Sequence, residues 1–284
     1  MTERAFHLTD GQIAQFIAHG HITITPDLPQ EFHEEIFAQH EEVFAKEGNP
    51  GNNLLPRIPL IRQIFDHPAV VGTLQSVIGD YCYLQPHRHP HHNPANSQGQ
   101  KMHQDGGKRW SHRTRHLLAF YYPQDTPLKR GPSGIVPGSH YFNTPESARH
   151  DRETPLTTSA GTVTIANYDL WHRAMPNRTE HHRYMVKFLF ARMSEPQVPS
   201  WANEQVDWPG IEPVFTDDDL ELQKMYTHIW HWHRGEGIAA LPAPASSPED
   251  LLPLLAANGE RVGIATAYAL SAIGAPAVEA LGEV

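Results

Sequence analysis

The chain changes character at Tyr81, and that switch limits the fold more than any other feature. Upstream of it, apolar residues recur at helical spacing. Residues 8–19 read as a helix that Thr9 or Asp10 can cap, with Ile13, Phe16 and Ile17 on one face. Residues 29–46 read as a second helix, carrying Phe32, Ile36, Phe37, Val43 and Phe44 and stopping at Gly48. Between them, 21–25 alternates β-branched residues as a short strand does. Residues 49–59 are a Gly/Pro/Asn loop, and 61–65 and 69–78 are helical segments separated by His67-Pro68.

Downstream, short apolar runs alternate with turn residues. Residues 81–85 read as a strand and 86–100 as a His/Pro/Asn/Gly loop. Strands are predicted at 115–122, within the turn-bounded segment 131–140, and at 161–166, which Asn167 and Asp169 turn toward His172. Residues 183–192 form a long strand with Tyr184, Val186, Phe188 and Phe190 on one face. A closing helix over 217–234 opens with an acidic turn and ends near Gly235. Helices first and short strands afterwards predict a mainly β fold, an antiparallel sandwich or barrel with helices packed outside.

The tail differs in composition. A Pro/Ala/Ser linker at 241–248 precedes an Ala-rich helix at 260–273, a Gly274-Ala275-Pro276 break and a further helix from Ala277. This rhythm resembles a HEAT-type repeat, whose units cannot bury their apolar face alone. The expected division is therefore 1–240 and a helical tail at 249–284. The tail either docks on the first unit, meets a protein partner or is truncated; an ordinary helical hairpin is the alternative.

The chemistry concentrates in His103-Gln104-Asp105, His172 and Arg183. With 21 histidines in the chain, a His-x-Asp tripeptide alone means little. On an extended segment, however, His103 and Asp105 leave from the same side, and His172 follows a strand and turn that carry it to a sheet rim. Two imidazoles and one carboxylate occupy one face of an octahedral Fe(II) and leave the other face open. Arg183 suits the distal carboxylate of 2-oxoglutarate, because a guanidinium fork makes two parallel charge-assisted bonds where lysine cannot. Arg173 and Arg178 compete for that role from a loop, whereas Arg183 begins a strand. The expected enzyme uses Fe(II), 2-oxoglutarate and O₂.

Composition sets the substrate class. The net charge of −10 argues against a nucleic-acid binder. Between His87 and His116, however, seven histidines and six basic residues face a single acid, Asp105. An acidic chain that gathers cations near its site is expected to handle a small anionic metabolite. Arg57, Lys101 and Lys108 are candidates to hold it, and Trp110 to wall the pocket, against plain roles in solvation and packing. His87, His89, His91 and His92 are expected to shape an entrance loop rather than to bind a second metal. His228 and His231 share a helical face but lack further ligands nearby. Cys82 is the single cysteine, so no intrachain disulfide forms. No signal-like segment opens the sequence and no apolar run has membrane-span length, so a cytoplasmic location with no membrane partner is expected.

Taken together, His103-Gln-Asp105, Gly131-Pro-Ser-Gly-Ile-Val-Pro-Gly-Ser-His140, Asp169-Leu-Trp-His172, Asn177-Arg-Thr and Arg183 resemble the phytanoyl-CoA dioxygenase family. The resemblance runs from about Leu8 to Arg192. It implies a double-stranded β-helix (jelly-roll, cupin-like) core with flanking helices. It also implies Fe(II) held by His103, Asp105 and His172, with 2-oxoglutarate at Arg183. Halogenases of the family replace the metal carboxylate with a small residue. Asp105 is present, so the resemblance implies hydroxylation of a C–H bond with release of succinate and CO₂. Two other readings stand beside it: a zinc-dependent hydrolase on the same three ligands, which would not need Arg183, and a non-catalytic binding protein whose function lies in the tail.

Overall fold

Thr9 starts the first helix, α1 (Asp10–His19), in the computed structural model, which describes residues 6–107, 111–211, 219–237, 246–255 and 259–282. Its hydroxyl accepts the Gln12 N–H while the Gln12 side chain accepts the Thr9 N–H, a reciprocal cap that satisfies two otherwise orphaned donors. Asp10 is thereby released for another task. Its buried carboxylate accepts from Trp201 Nε1 (2.6 Å), Asn203 Nδ2 (2.7 Å), and the Glu204 and Gln205 N–H groups (2.8 and 2.9 Å). One side chain thus ties the start of the chain to the segment after the last strand.

β1 (His21–Ile24), α2 (Gln30–Glu47), α3 (Ile61–Phe65) and α4 (Pro68–Ile78) follow the sequence pattern closely. The next strand does not. β2 spans Cys82–Asn93, so the loop expected over 86–100 is strand through Asn93. Proline and histidine are poor strand formers by composition, but β2 lies at the edge of its sheet, where a proline costs no ladder bond. Pairing of Pro90 with Val186, His91 with Met185 and Asn93 with Arg183 overrides local propensity, and a bulge between Leu84 and Arg88 absorbs the irregular stretch.

The remaining elements are β3 (His116–Tyr121), β4 (Ser133–Ile135), α5 (Pro145–Ala148), β5 (Thr154–Pro155), β6 (Val163–Asn167), β7 (His172–Ala174), β8 (Arg183–Arg192), α6 (Asp219–His233), α7 (Pro248–Leu255), α8 (Glu260–Ile273) and α9 (Ala275–Gly282). The strands form two antiparallel sheets, one ordered β1-β6-β3-β8-β2 and one ordered β5-β4-β7. β8 is buried on both faces from Arg183 to Ala191. Val186, Phe188 and Phe190 enter the large core under the helices, with Ile36, Ile64, Val70 and Trp230. Met185 and Leu189 point the other way, into a second cluster with Leu118, Phe120, Leu170 and Ile135 of the smaller sheet. Arg183 and Lys187 share that second face by the two-residue period of a strand.

The tail packs on the rest of the chain. Leu251, Ala269, Leu270 and Ala277 make a small cluster of their own, while Ile264 and Tyr268 of α8 pack against the main core. The Glu260 carboxylate accepts the N–H groups of Asn143 (2.7 Å) and Thr144 (3.0 Å). Among the described residues no single helix is long and apolar enough to cross a membrane. Asp217 and Asp218 of the expected acidic turn, and 241–245 of the expected linker, lie outside the described residues.

Candidate functional site

His103 and His172 meet as neighbouring rungs of a ladder. The His103 N–H donates to the His172 carbonyl at 3.0 Å and the His172 N–H donates back at 2.9 Å. Their rings lie 4.6 Å apart between centroids. In each ring Nδ1 faces a main-chain carbonyl, that of Lys101 for His103 (2.9 Å) and that of Leu170 for His172 (2.8 Å). A carbonyl only accepts, so Nδ1 carries the proton and the Nε2 lone pair is left for a ligand.

Asp105 completes the set. Its Oδ1 is 3.8 Å from His103 Nε2 and its Oδ2 is 3.8 Å from His172 Nε2. One ligand atom from each of the three residues lies within 4.8 Å of the others. Two donors each roughly 2.1 Å from one ion sit about 3 Å apart at a right angle, so a small closure brings this trio onto a single metal. The loop that presents Asp105 is pinned by Gln104, whose Nε2 donates to the carbonyls of Phe142 (3.0 Å) and Asp169 (2.7 Å). A Cβ at Gly106 would lie 1.9 Å from Asp169 Oδ1, so any larger residue there would make the Asp169 carboxylate move.

Lys187 was not foreseen as part of this centre. Its side chain is 3% exposed and its Nζ lies 2.5 Å from Asp105 Oδ2. Burial pushes the Asp105 carboxyl up, but the charges of Lys187 and His172 and the Lys187 hydrogen bond outweigh it, holding the group below the usual carboxylate range. Burial, reinforced by Lys187, lowers His172 to about 4, so its ring is neutral near pH 7. The sequence signal was present: a single lysine in the apolar run 183–192, an even number of residues from Arg183.

Arg183 is 1% exposed. Its Nε donates to the Gly131 carbonyl at 2.9 Å, and its two terminal nitrogens are shut off from solvent without a hydrogen-bond partner. Burial lowers its pKa to about 10, so the cation persists. The fork borders a cavity of about 520 Å³ whose wall also includes His103, His172, Ser133, His91 and Lys187. An unpaired buried guanidinium is costly. A carboxylate placed there would satisfy both free nitrogens at once.

Of the competing arginines, one is occupied and the other lies elsewhere. Arg173 reaches the cavity wall, but its Nε and a terminal nitrogen are bound to Glu153 at 2.7 Å each. Arg178 borders a different hollow, beside Pro127, Leu128 and Lys129. Arg57 is held by Glu47 at 2.6 and 2.7 Å and by the Asn53 carbonyl, away from the cavity wall. Lys101 is exposed and contributes its carbonyl to orienting His103. Lys108 and Trp110 lie outside the described residues. His92 bonds His182 at 3.0 Å and stacks on Tyr184, a packing role. His231 is bound to Glu236, and His228 rests against Tyr268.

Two imidazoles and one carboxylate converging beside a cavity, with an unpaired guanidinium fork on its wall, fit a ferrous ion and a chelating 2-oxo acid. A search of curated proteins finds no match. Solved structures share the fold. AviO1 from Streptomyces viridochromogenes Tue57 is similar at 16% identity and a TM-score of 0.54, over 69% of this chain and 98% of that one. HygX from Streptomyces hygroscopicus, with nickel and 2-oxoglutarate bound, is similar at 17% identity and a TM-score of 0.54, over 74% of this chain and 97% of that one. SnoK, a non-heme alpha ketoglutarate dependent carbocyclase from nogalamycin biosynthesis, is similar at 18% identity and 0.52, over 63% and 82%. The profile of the phytanoyl-CoA dioxygenase (PhyH) family matches residues 30–185, more than half of the chain, and the protein belongs to that family.

Proposed function

We propose that this protein is an Fe(II)- and 2-oxoglutarate-dependent oxygenase that hydroxylates a C–H bond of a small anionic metabolite. His103, Asp105 and His172 hold the iron, and Arg183 grips the distal carboxylate of 2-oxoglutarate. The observation that carries this reading is the buried, unpaired Arg183 fork on the same cavity wall as both histidines. A zinc hydrolase on the same three ligands has no use for that fork. Family membership and the likeness to HygX, which is described with 2-oxoglutarate bound, support it further. The two antiparallel sheets correspond in this reading to a double-stranded β-helix, with 1–240 as the catalytic unit and 249–284 as a helical appendage.

When bound, iron and 2-oxoglutarate supply an oxidative decarboxylation that activates O₂ and releases succinate and CO₂. The protein supplies placement. The carbonyls of Lys101 and Leu170 fix the tautomer of each histidine, and Asp105 adds the anionic ligand. Lys187 holds the second carboxylate oxygen. The apolar wall of Leu118, Phe120 and Leu189 keeps water from the buried side. A second hollow of about 310 Å³ beside Gly106 and Gly107 is bordered by His112, Arg113, Arg115 and His116. Arg113 and the two histidines support an anionic substrate, although Arg115 is paired with Glu195 and Asp169 shares the wall.

The test is spectroscopic and chemical. Anaerobic protein with Fe(II) and 2-oxoglutarate should show a weak visible charge-transfer band, and admission of air with a library of free acids, phosphates and thioesters should release succinate. Neither band nor succinate, from protein that binds Fe(II), would sink the assignment.

A further inference from the structure

The inner face of β2 carries a second set of metal-type donors. His87, His89 and His91 alternate along the strand and so leave it on one side. Their rings follow one another at 4.3 and 4.6 Å between centroids. Each offers one ring nitrogen, and the three nitrogens lie within 4.8 Å of one another. Nε2 of His87 and Nε2 of His91 are sealed from solvent and have no hydrogen-bond partner.

His89 shows the orienting contact that a ligand histidine needs. Its Nδ1 lies 3.2 Å from Asn52 Oδ1, and the same oxygen accepts the Arg88 main-chain N–H at 3.1 Å. That second bond identifies the Asn52 atom as oxygen, so His89 Nδ1 is the donor and its Nε2 keeps the lone pair. The arrangement repeats what the Lys101 and Leu170 carbonyls do for His103 and His172. Packing alone gives no reason to seal two ring nitrogens without partners and turn them toward a third ring.

We propose that His87, His89 and His91 form a second metal site for one divalent ion of the zinc, nickel or copper class, on the wall of the same cavity. Three imidazoles without a carboxylate select these borderline ions over magnesium or calcium. His89 and His91 border the space shared with Arg183 and Lys187. The ion's remaining position is therefore open to an oxygen or nitrogen donor of a bound metabolite. The positive charge of Lys187, which would oppose a cation here, is engaged by Asp105 at 2.5 Å.

The site stands independently of the oxygenase reading. The experiment is equilibrium dialysis of the metal-stripped full-length chain, without an affinity tag, against Zn²⁺, with bound metal counted by mass spectrometry. Wild type should hold two equivalents. His89→Gln with His91→Gln should hold one, and His103→Gln with Asp105→Asn should also hold one. Asn52→Ala, which removes no ligand, should weaken only the second equivalent, by about ten-fold or more. Circular dichroism of each metal-free variant checks the fold. Two equivalents in the folded β2 double variant, or an Asn52→Ala affinity equal to wild type, would overturn the proposal. A wild type with one equivalent is decided by which double variant empties it. Loss with His103 and Asp105 replaced refutes the second site, whereas loss with His89 and His91 replaced supports it and refutes the first.

Discussion

Replacing Arg183 with lysine keeps the charge and removes the fork. One of the two charge-assisted bonds is lost, at about 1.5–3 kcal/mol. The KM for 2-oxoglutarate is expected to rise about 10- to 100-fold, with a smaller change in kcat at saturating cosubstrate; steady-state kinetics measure both, and an unchanged KM would remove Arg183 from the site. Lys187→Met is the sharper probe. Without metal it leaves a mostly buried Asp105 carboxylate unpaired, a loss on the order of 3 kcal/mol, whereas a bound divalent ion takes over the neutralising role. Denaturation with and without metal should therefore show a large loss in the first case and a small one in the second. Equal losses would mean that lysine and ion do not exchange roles at Asp105. The convergence of His103, Asp105 and His172 near Arg183 was legible because their residue types and spacing suit a metal and an anion. The part of Lys187 was not, because the sequence shows only that it shares a strand face with Arg183, and the register of β8 against the rest of the site is what aims it at a carboxylate.

At the scale of elements, helices α1, α2, α4 and α8 and strand β8 were legible from apolar period and end signals. β2 was misread for a physical reason: histidine, proline and asparagine describe a loop when only neighbours in sequence are considered, and long-range pairing with β8 supplies what they lack. The first helix shows the same limit. Thr9 and Asp10 were equivalent as caps in the sequence, yet the structure gives Thr9 the cap and Asp10 four donors from residues 201–205. Thr9→Ala is expected to cost about 1 kcal/mol. Asp10→Ala strands the buried Trp201 N–H and should cost about 3 kcal/mol or more. Urea denaturation distinguishes the two, and similar losses would refute the tethering role of Asp10.

For the whole molecule, the order of helices and strands announced antiparallel sheets. The strand order β1-β6-β3-β8-β2 was not readable, because β1 comes from the helical half and pairs with the distant β6, His21 opposite Ala166. Histidines enclosed at several points of the fold are expected to make the protein acid-sensitive. Burial lowers His40 and His21 to about 4 and His233 well below the ordinary value of 6.5. Between pH 6.5 and 4 the unfolded chain binds protons that the folded chain refuses, so stability rises with pH across this window and falls on acidification. Melting temperatures of metal-free protein should drop steadily from pH 6.5 to 4. A flat profile would mean that these rings take up protons without unfolding.

β8 turns one face to the helix-covered core and the other to Arg183's cavity, with no spare side. A single residue inserted near its middle would invert everything beyond the insertion, sending a cation into oil and a phenylalanine into the reaction chamber. Core packing and the Arg183 cavity therefore share one register along this strand: an insertion disturbs both at once, whereas a substitution changes one face at a time.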